Sequence, residues 1–155
     1  GSDTLIAING VRGSSFNDSI TGNAGGNFLE GRGGDDFIDG GGGTDTIFFN
    51  SATSAVDIDL ALGSASLTGG LGTDTWVNVE GLRGGDFGDT LRGDNGSFNI
   101  LDGGPGADLL DGRGGTDQAR YDRSLNAVSV NLAAGQAFDG EMIGVHAASI
   151  VRPPA

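Results

Sequence analysis

The chain has 155 residues, of which 32 are glycine and none is cysteine or lysine, and its 21 acidic against 8 basic side chains give a formal charge of −13. That charge repels nucleic-acid phosphates and anionic lipid and favours cations as partners, while the lack of cysteine excludes a disulfide framework and a thiolate metal site. No apolar run approaches the roughly 18 residues of a membrane span, and the length suits one modest structural unit, with the rest of a larger parent chain as an expected partner.

In chain order, the first pattern begins at Gly13. Blocks of nine follow one another as GSSFNDSIT, GNAGGNFLE, GRGGDDFID and GGGGTDTIF, each opening on Gly, with Asp or Asn sixth and Ile or Leu eighth. Each block predicts a six-residue turn that uses glycine's freedom of backbone angle, then a three-residue strand whose middle side chain faces inward. Phe49 follows the last block and is expected in the core. The segment VDIDLALGSA from Val56 predicts strands separating two arrays, with Asp57 and Asp59 at solvent. GGLGTDTWV at 69–77 is an isolated copy that puts Trp76, the only tryptophan, in the apolar place. The register returns as GGDFGDTLR from Gly84, GDNGSFNILD with one residue inserted near Ser97 and Phe98, GGPGADLLD from Gly103 and GRGGTDQAR from Gly112. Tyr121 then stands where Phe49 stood, and Asp122 and Asp139 are expected at solvent. Beyond Gly140, MIGVHAASIV predicts a strand that closes the end of the solenoid, and RPPA a disordered tail.

A longer period lies above the short one. DTLIAINGVRGSSFNDSITG from Asp3 matches DTWVNVEGLRGGDFGDTLRG from Asp74, and AVDIDLALGSA from Ala55 matches AVSVNLAAGQA from Ala127. The expectation is an all-β parallel solenoid of two tandem arrays of roughly 72 residues. The first runs over about 3–68, the second over about 69–140, and a capping segment and tail over 141–155, all in one module.

In such a solenoid, turns nine residues apart lie on opposite sides and turns eighteen apart stack at about 4.8 Å. Asp18 then sits over Asp36, Asn27 over Asp45, Asp89 over Asp108 and Asn99 over Asp117. Stacked carboxylates repel one another, and uncovered carbonyls in the turn lack partners. A hard cation with six to eight oxygen ligands answers both problems, and Ca²⁺ suits a flexible carbonyl and carboxylate cage better than Mg²⁺ does.

These blocks, G-G-x-G-x-D-x-U-x with U a large apolar residue, resemble the repeats-in-toxin (RTX) family, the haemolysin-type calcium-binding repeats of secreted bacterial proteins. The resemblance covers Gly13 to Phe48 and Gly69 to Arg120. It implies a right-handed parallel β-roll with several Ca²⁺ ions between stacked turns. Asp18, Asp36, Asp45, Asp74, Asp89, Asp108 and Asp117 would be ligands, with Asn27 and Asn99 at weaker Asn/Asp sites. Backbone carbonyls of Gly31, Gly33, Gly40, Gly42, Gly103, Pro105, Gly112 and Gly114 would complete the cages. It also implies a secreted or cell-surface location, folding on meeting extracellular calcium after type I secretion, and attachment to a larger protein. Phe16 and Phe87 depart from the pattern at the fourth place, where Gly is usual, which leaves the first turn of each array open as a metal-free cap. The insertion at Ser97 puts the Asn99 turn in question.

Rival readings are weaker. A disordered linker need not hold an aliphatic residue at every eighth place, and no EF-hand loop spacing occurs. His146, the only histidine, lies outside the repeats, and no nucleophile elbow, H-E-x-x-H helix or phosphate loop accompanies it, so the reading is of a non-catalytic module. An adhesin module whose calcium-stabilised roll binds carbohydrate or a surface protein remains the alternative, to be favoured by an exposed aromatic patch. Threonine is too irregular here for an ice-binding face.

Overall fold

A block of six turn residues and three extended ones buries only one or two side chains per strand, so such strands make a core only by stacking on their own copies. The computed structural model describes residues 3–67, 70–96, 98–132, 136–138 and 148–150. Strands β1 (Gly10–Arg12), β2 (Ser19–Thr21), β3 (Phe28–Glu30), β4 (Phe37–Asp39) and β5 (Thr46–Phe48) alternate between two walls. An excursion follows, made of β6 (Asp57–Asp59), one 3-10 turn (Leu60–Leu62), β7 (Ser64–Leu67) and β8 (Gly72–Val77). Alternation resumes with β9 (Gly81–Arg83), β10 (Thr90–Arg92), β11 (Ile100–Asp102), β12 (Leu109–Asp111) and β13 (Gln118–Ala119), before β14 (Ser129–Asn131), β15 (Gln136–Phe138) and β16 (Ala148–Ile150).

The architecture is an all-β parallel β-roll. One wall is a single parallel sheet in the order β1-β3-β5-β9-β11-β13, so the two arrays are joined by ordinary strand pairing, with Ile47 opposite Leu82. The other wall is split into β2-β4-β8-β7 and β14-β15-β16-β12-β10-β6. Among the described residues, antiparallel pairing is confined to β7–β8, β14–β15 and β15–β16. The register sets residues eighteen apart side by side, as Ile20 beside Ile38 and Val11 beside Leu29. The eighth-place residues therefore form continuous columns between the walls. Leu29, Ile38, Ile47, Leu82, Leu91 and Leu110 are fully buried in them, and each such side chain contributes about 1.5–3 kcal/mol.

Trp76 lies in the core opposite Ile38, and its indole N–H donates to the Leu60 carbonyl at 3.3 Å. Phe49 is buried, whereas Tyr121 is half-buried. Three expectations are corrected. Residues 72–77 form a six-residue strand rather than a glycine turn with a short strand, because β7 pairs antiparallel with it all the way from Gly72 to Thr75. Asp59 is not a free surface carboxylate: it pairs with Arg113 and caps the 3-10 turn through the Ala61 N–H. Phe16 and Phe87 cover no end of the roll, since both are exposed in turns. Expectations for Asp139, His146 and the RPPA tail fall outside the described residues. β16 pairs in parallel with β12 and antiparallel with β15, inside its sheet rather than at the edge. Among the described residues, no helix is long and apolar enough to cross a membrane.

Candidate metal centre

The residue before each of β2 to β5 and β9 to β13 carries the polar side chain that faces the stacked turns, and Asp74 presents its own from within β8. The N–H of the residue before the strand donates to the carboxylate of the next coil, which builds a ladder along the roll. Asp18 N–H donates to Asp36 Oδ1 at 2.8 Å and Asp36 N–H to Asp74 Oδ1 at 3.0 Å. On the opposite side Asn27 N–H donates to Asp45 Oδ1 at 2.7 Å and Asp45 N–H to Glu80 Oε2 at 2.9 Å. In the second array Asp89 N–H donates to Asp108 Oδ1 at 2.8 Å and Asn99 N–H to Asp117 Oδ1 at 3.0 Å. The expected sixth-place residues are thus brought into register. Asp36, Asp45, Asp74, Asp89, Asp108, Asn27 and Asn99 are buried, Asp18 is half-buried and Asp117 is exposed.

What the second side-chain oxygen meets separates two kinds of turn. In the first two turns of each array it accepts the N–H of the second residue. The bonds run from Ser14 to Asp18 Oδ2 at 2.6 Å and from Gly85 to Asp89 Oδ2 at 2.7 Å. Asn27 and Asn99, which have one oxygen each, accept from Asn23 at 2.8 Å and Asp94 at 3.1 Å. Their amide nitrogens donate back to the Asn9 and Glu80 carbonyls at 3.4 and 3.3 Å. An asparagine there supplies the donor that a carboxylate lacks.

The last two turns of each array differ in backbone. Their second and fourth residues are left-handed: Arg32 (φ 81°) and Gly34 (φ 111°), Gly41 (φ 89°) and Gly43 (φ 110°), Gly104 (φ 89°) and Gly106 (φ 133°), Arg113 (φ 61°) and Gly115 (φ 119°). In the first array these are the turns whose Asp36 Oδ2 and Asp45 Oδ2 are buried with no hydrogen-bond partner. An isolated buried carboxylate oxygen is costly. Burial accordingly pushes the Asp36, Asp45 and Asp89 carboxyls up, and Asp74 to about 7, against the lowering effect of the backbone N–H bonds each accepts.

The space beside these oxygens is framed by main chain. A Cβ on Gly31 or Gly40 would lie 2.7 Å from Asp36 Cγ or Asp45 Cβ, so glycine is what lets the carboxylates lie flat on the turn. The carbonyls of Gly31, Gly103 and Gly112 reach toward the turn above, 2.6, 2.5 and 2.9 Å from where a Cβ on Gly13, Gly84 or Gly93 would stand. Gly33 and Gly42 donate their N–H groups to Ser14 and Asn23 carbonyls at 3.3 and 2.9 Å, Pro105 has no N–H to donate, and Gly114 stacks beside Asn95. Among the described residues no three acidic side chains converge. A cation here would therefore draw on main-chain carbonyls as well as one or two carboxylates, the donor set of a hard oxygen-seeking ion. The residues fit Ca²⁺ on that chemistry and on the two orphaned oxygens.

Glu80 was missed by the nonapeptide pattern. It stands immediately before β9, as Asp45 stands before β5, and its longer side chain takes the carboxylate's place in the ladder. Position relative to the strand, rather than the motif, was the available signal.

A family model described as the RTX calcium-binding nonapeptide repeat (4 copies) matches residues 12–47 and 83–119. No curated protein matches the chain.

Proposed function

We propose that this chain, which carries RTX calcium-binding nonapeptide repeats over both arrays, is a non-catalytic module that folds when calcium binds its stacked turns. The observation that carries the reading is the pair of buried, partnerless oxygens Asp36 Oδ2 and Asp45 Oδ2 in left-handed turns. Asp18, Asp36, Asp45, Asp74, Asp89, Asp108 and Asp117 supply carboxylate oxygen, and the first- and third-place carbonyls from Gly31, Gly33, Gly40, Gly42, Gly103, Pro105, Gly112 and Gly114 supply the rest. Asn27 and Asn99 make the weaker sites, because each already spends its oxygen on a turn N–H, and Asp18 and Asp89, whose Oδ2 atoms are spent in the same way, offer less than Asp36 and Asp45 do. When bound, calcium supplies positive charge where several carboxylates are stacked.

The chain's own residues explain the dependence. A glycine-rich chain of charge −13 with three-residue strands has much backbone entropy to lose and strong self-repulsion. A cation that binds only the folded form stabilises it by RT ln(1 + [L]/Kd), about 1.4 kcal/mol per site at ten times Kd. Extracellular modules bind Ca²⁺ with Kd near ~10⁻⁴ to 10⁻³ M, so the chain stays unfolded in a calcium-poor cytoplasm and folds outside the cell, as part of a larger secreted or surface bacterial protein. The regularly placed carboxylates all have a place in the turns, so this reading assigns them to the cation rather than to catalysis. Isothermal titration with Ca²⁺ and with Mg²⁺ tests the assignment: saturable Ca²⁺ binding that Asp36→Asn and Asp45→Asn both weaken supports it, and binding indifferent to both substitutions refutes it.

A second reading, an adhesive surface for carbohydrate, is favoured by one feature. Phe28 and Phe48 pack at 5.6 Å on the outer face of the continuous sheet, with the Arg83 guanidinium 5.0 Å from the Phe48 ring centre, and Phe28 is exposed. A glycan array probed with wild-type and Phe28→Ala protein discriminates: glycan signal lost in the variant establishes adhesion, and no signal removes it.

A further inference from the structure

The two ends of the roll carry the two halves of an interface that its middle already contains. β1 and β2 repeat β9 and β10 at an offset of 71, and β13 and β14 repeat β5 and β6 at an offset of 72. The equivalence reaches the backbone, since Ala7 and Asn78 share an unusual left-handed φ of 56° and 55°. In the middle, β9 pairs with β5 and β10 with β6. Gly81 N–H donates to the Asp45 carbonyl, Val56 N–H to Asp89 Oδ1 and Thr90 N–H to the Val56 carbonyl, each at 2.8 Å. At the ends, among the described residues, β1 and β13 are the outer strands of one wall, while β2 and β14 end the two sheets of the other.

Burial and charge follow the same equivalence. Val56, Ile58 and Leu60 are 3%, 0% and 7% exposed in the middle, whereas their counterparts Val128, Val130 and Leu132 are 38%, 45% and 68% exposed. Trp76 and Val79 are 4% and 8% exposed, against 68% and 48% for Leu5 and Ile8. Two ion pairs cross the middle, Arg92 with Asp57 and Arg113 with Asp59. At the ends the counterparts are Thr21 with Ser129 and Gly41 with Asn131, so both members of each of these two pairs have lost their charge together; the same register sets Arg12, which is ion-paired with Glu30, opposite Arg120, as Arg83 lies opposite Phe48. The excursion does not obstruct this contact: β15 and β16 repeat the pairing of β7 and β8, beside which the middle interface forms.

We propose that the N-terminal end of the roll docks on the C-terminal end of a second copy of this chain, β1 on β13 and β2 on β14, in the register of β9 on β5 and β10 on β6. The contact is head to tail, so it extends into linear chains rather than closing as a dimer. It needs a folded roll and is independent of which turns hold calcium.

Sedimentation velocity over a wide range of protein concentration tests it, in calcium at which far-UV circular dichroism shows no further change. The wild type is expected to give a series of species that lengthens with concentration. Ile8→Asp and Val130→Asp, both at exposed positions, each leave only monomer, and their equimolar mixture stops at twice the monomer mass because one open end of each kind remains. As a check that requires no apolar change, the double variant T21D/S129D loses association while T21D/S129R keeps it. A wild type that stays monomeric throughout, whether or not it gains strand signal, a closed dimer, or assembly untouched by these substitutions overturns the proposal. A strand signal already complete without calcium would instead overturn the calcium reading and leave the end-to-end contact to be judged by the same sedimentation data.

Discussion

Asp36 shows how one residue links burial to the cation. Its Oδ1 accepts the Asp18 N–H, its Oδ2 meets no donor, and burial raises its pKa. Asp36→Asn is therefore expected to act with opposite signs. It should stabilise the calcium-free chain by removing a buried charge, and raise the calcium needed for folding about tenfold, a loss of ~1.4 kcal/mol. Chelated and calcium-loaded thermal melts read the two signs, and destabilisation in both would contradict the assignment. The same burial fixes the pH response. The Asp74 carboxyl in the calcium-free fold titrates at about 7, above its ordinary 3.8, so the folded state binds the proton more tightly than the unfolded one. Its contribution is fully present below 3.8 and is lost as pH rises through about 7. Strand signal of the chelated protein should thus grow as pH falls from neutral toward mild acid, and calcium binding should release protons, read as a buffer-dependent enthalpy in calorimetry. Equal enthalpies in buffers of different ionisation heat would show that no such proton is held.

At the scale of the element, the turn is set by backbone conformation more than by the carboxylate. Gly34 has φ +111°, and an added Cβ would stand 2.5 Å from the Phe16 carbonyl carbon and 2.7 Å from the Asn17 nitrogen. Gly34→Ala is expected to cost about 3 kcal/mol or more, combining left-handed strain with a main-chain collision. Gly70→Ala has comparable φ (+84°) but open space around it, so it should cost only the ~1–2 kcal/mol of strain. Calcium-loaded denaturant melts of the two variants separate collision from strain, and equal losses would mean that the stacking of Gly34 on Phe16 is not tight. The nine-residue period made the strands, their inward residues and the stacking of turns legible in the sequence, because each is a local consequence of where glycine and the aliphatic residue recur. The division into two kinds of turn was not legible. Arg32 and Arg113 adopt the left-handed conformation that their neighbours' glycines suggest only in part, and the choice depends on which coil lies above. Glu80 escaped because its partner, Asp45, is remote in the chain, whereas the β7–β8 hairpin is local, Leu67 pairing with Gly72, and was hidden by the nonapeptide spacing that GGLGTDTWV also carries.

Across the whole molecule, two arrays form one roll because the second begins on the edge the first leaves open, β9 on β5. Its stability is the sum of many thin contacts, buried aliphatic columns and ladders of carboxylates, set against a large charge of one sign. The internal duplication was legible in the matches at 3–22 with 74–93 and 55–65 with 127–137. The repeated interface between arrays was not, since only burial distinguishes Val130 from Ile58. The most direct measurement is a Ca²⁺ titration of chelator-treated protein, followed by far-UV circular dichroism and by the fluorescence of Trp76, with Mg²⁺ as control. Trp76 is buried in the folded roll, so the expected result is a cooperative rise in strand signal with a coincident shift of its emission to shorter wavelength, driven by Ca²⁺ and not by Mg²⁺. A full strand spectrum and buried tryptophan emission before any calcium is added, unchanged on titration, would contradict it.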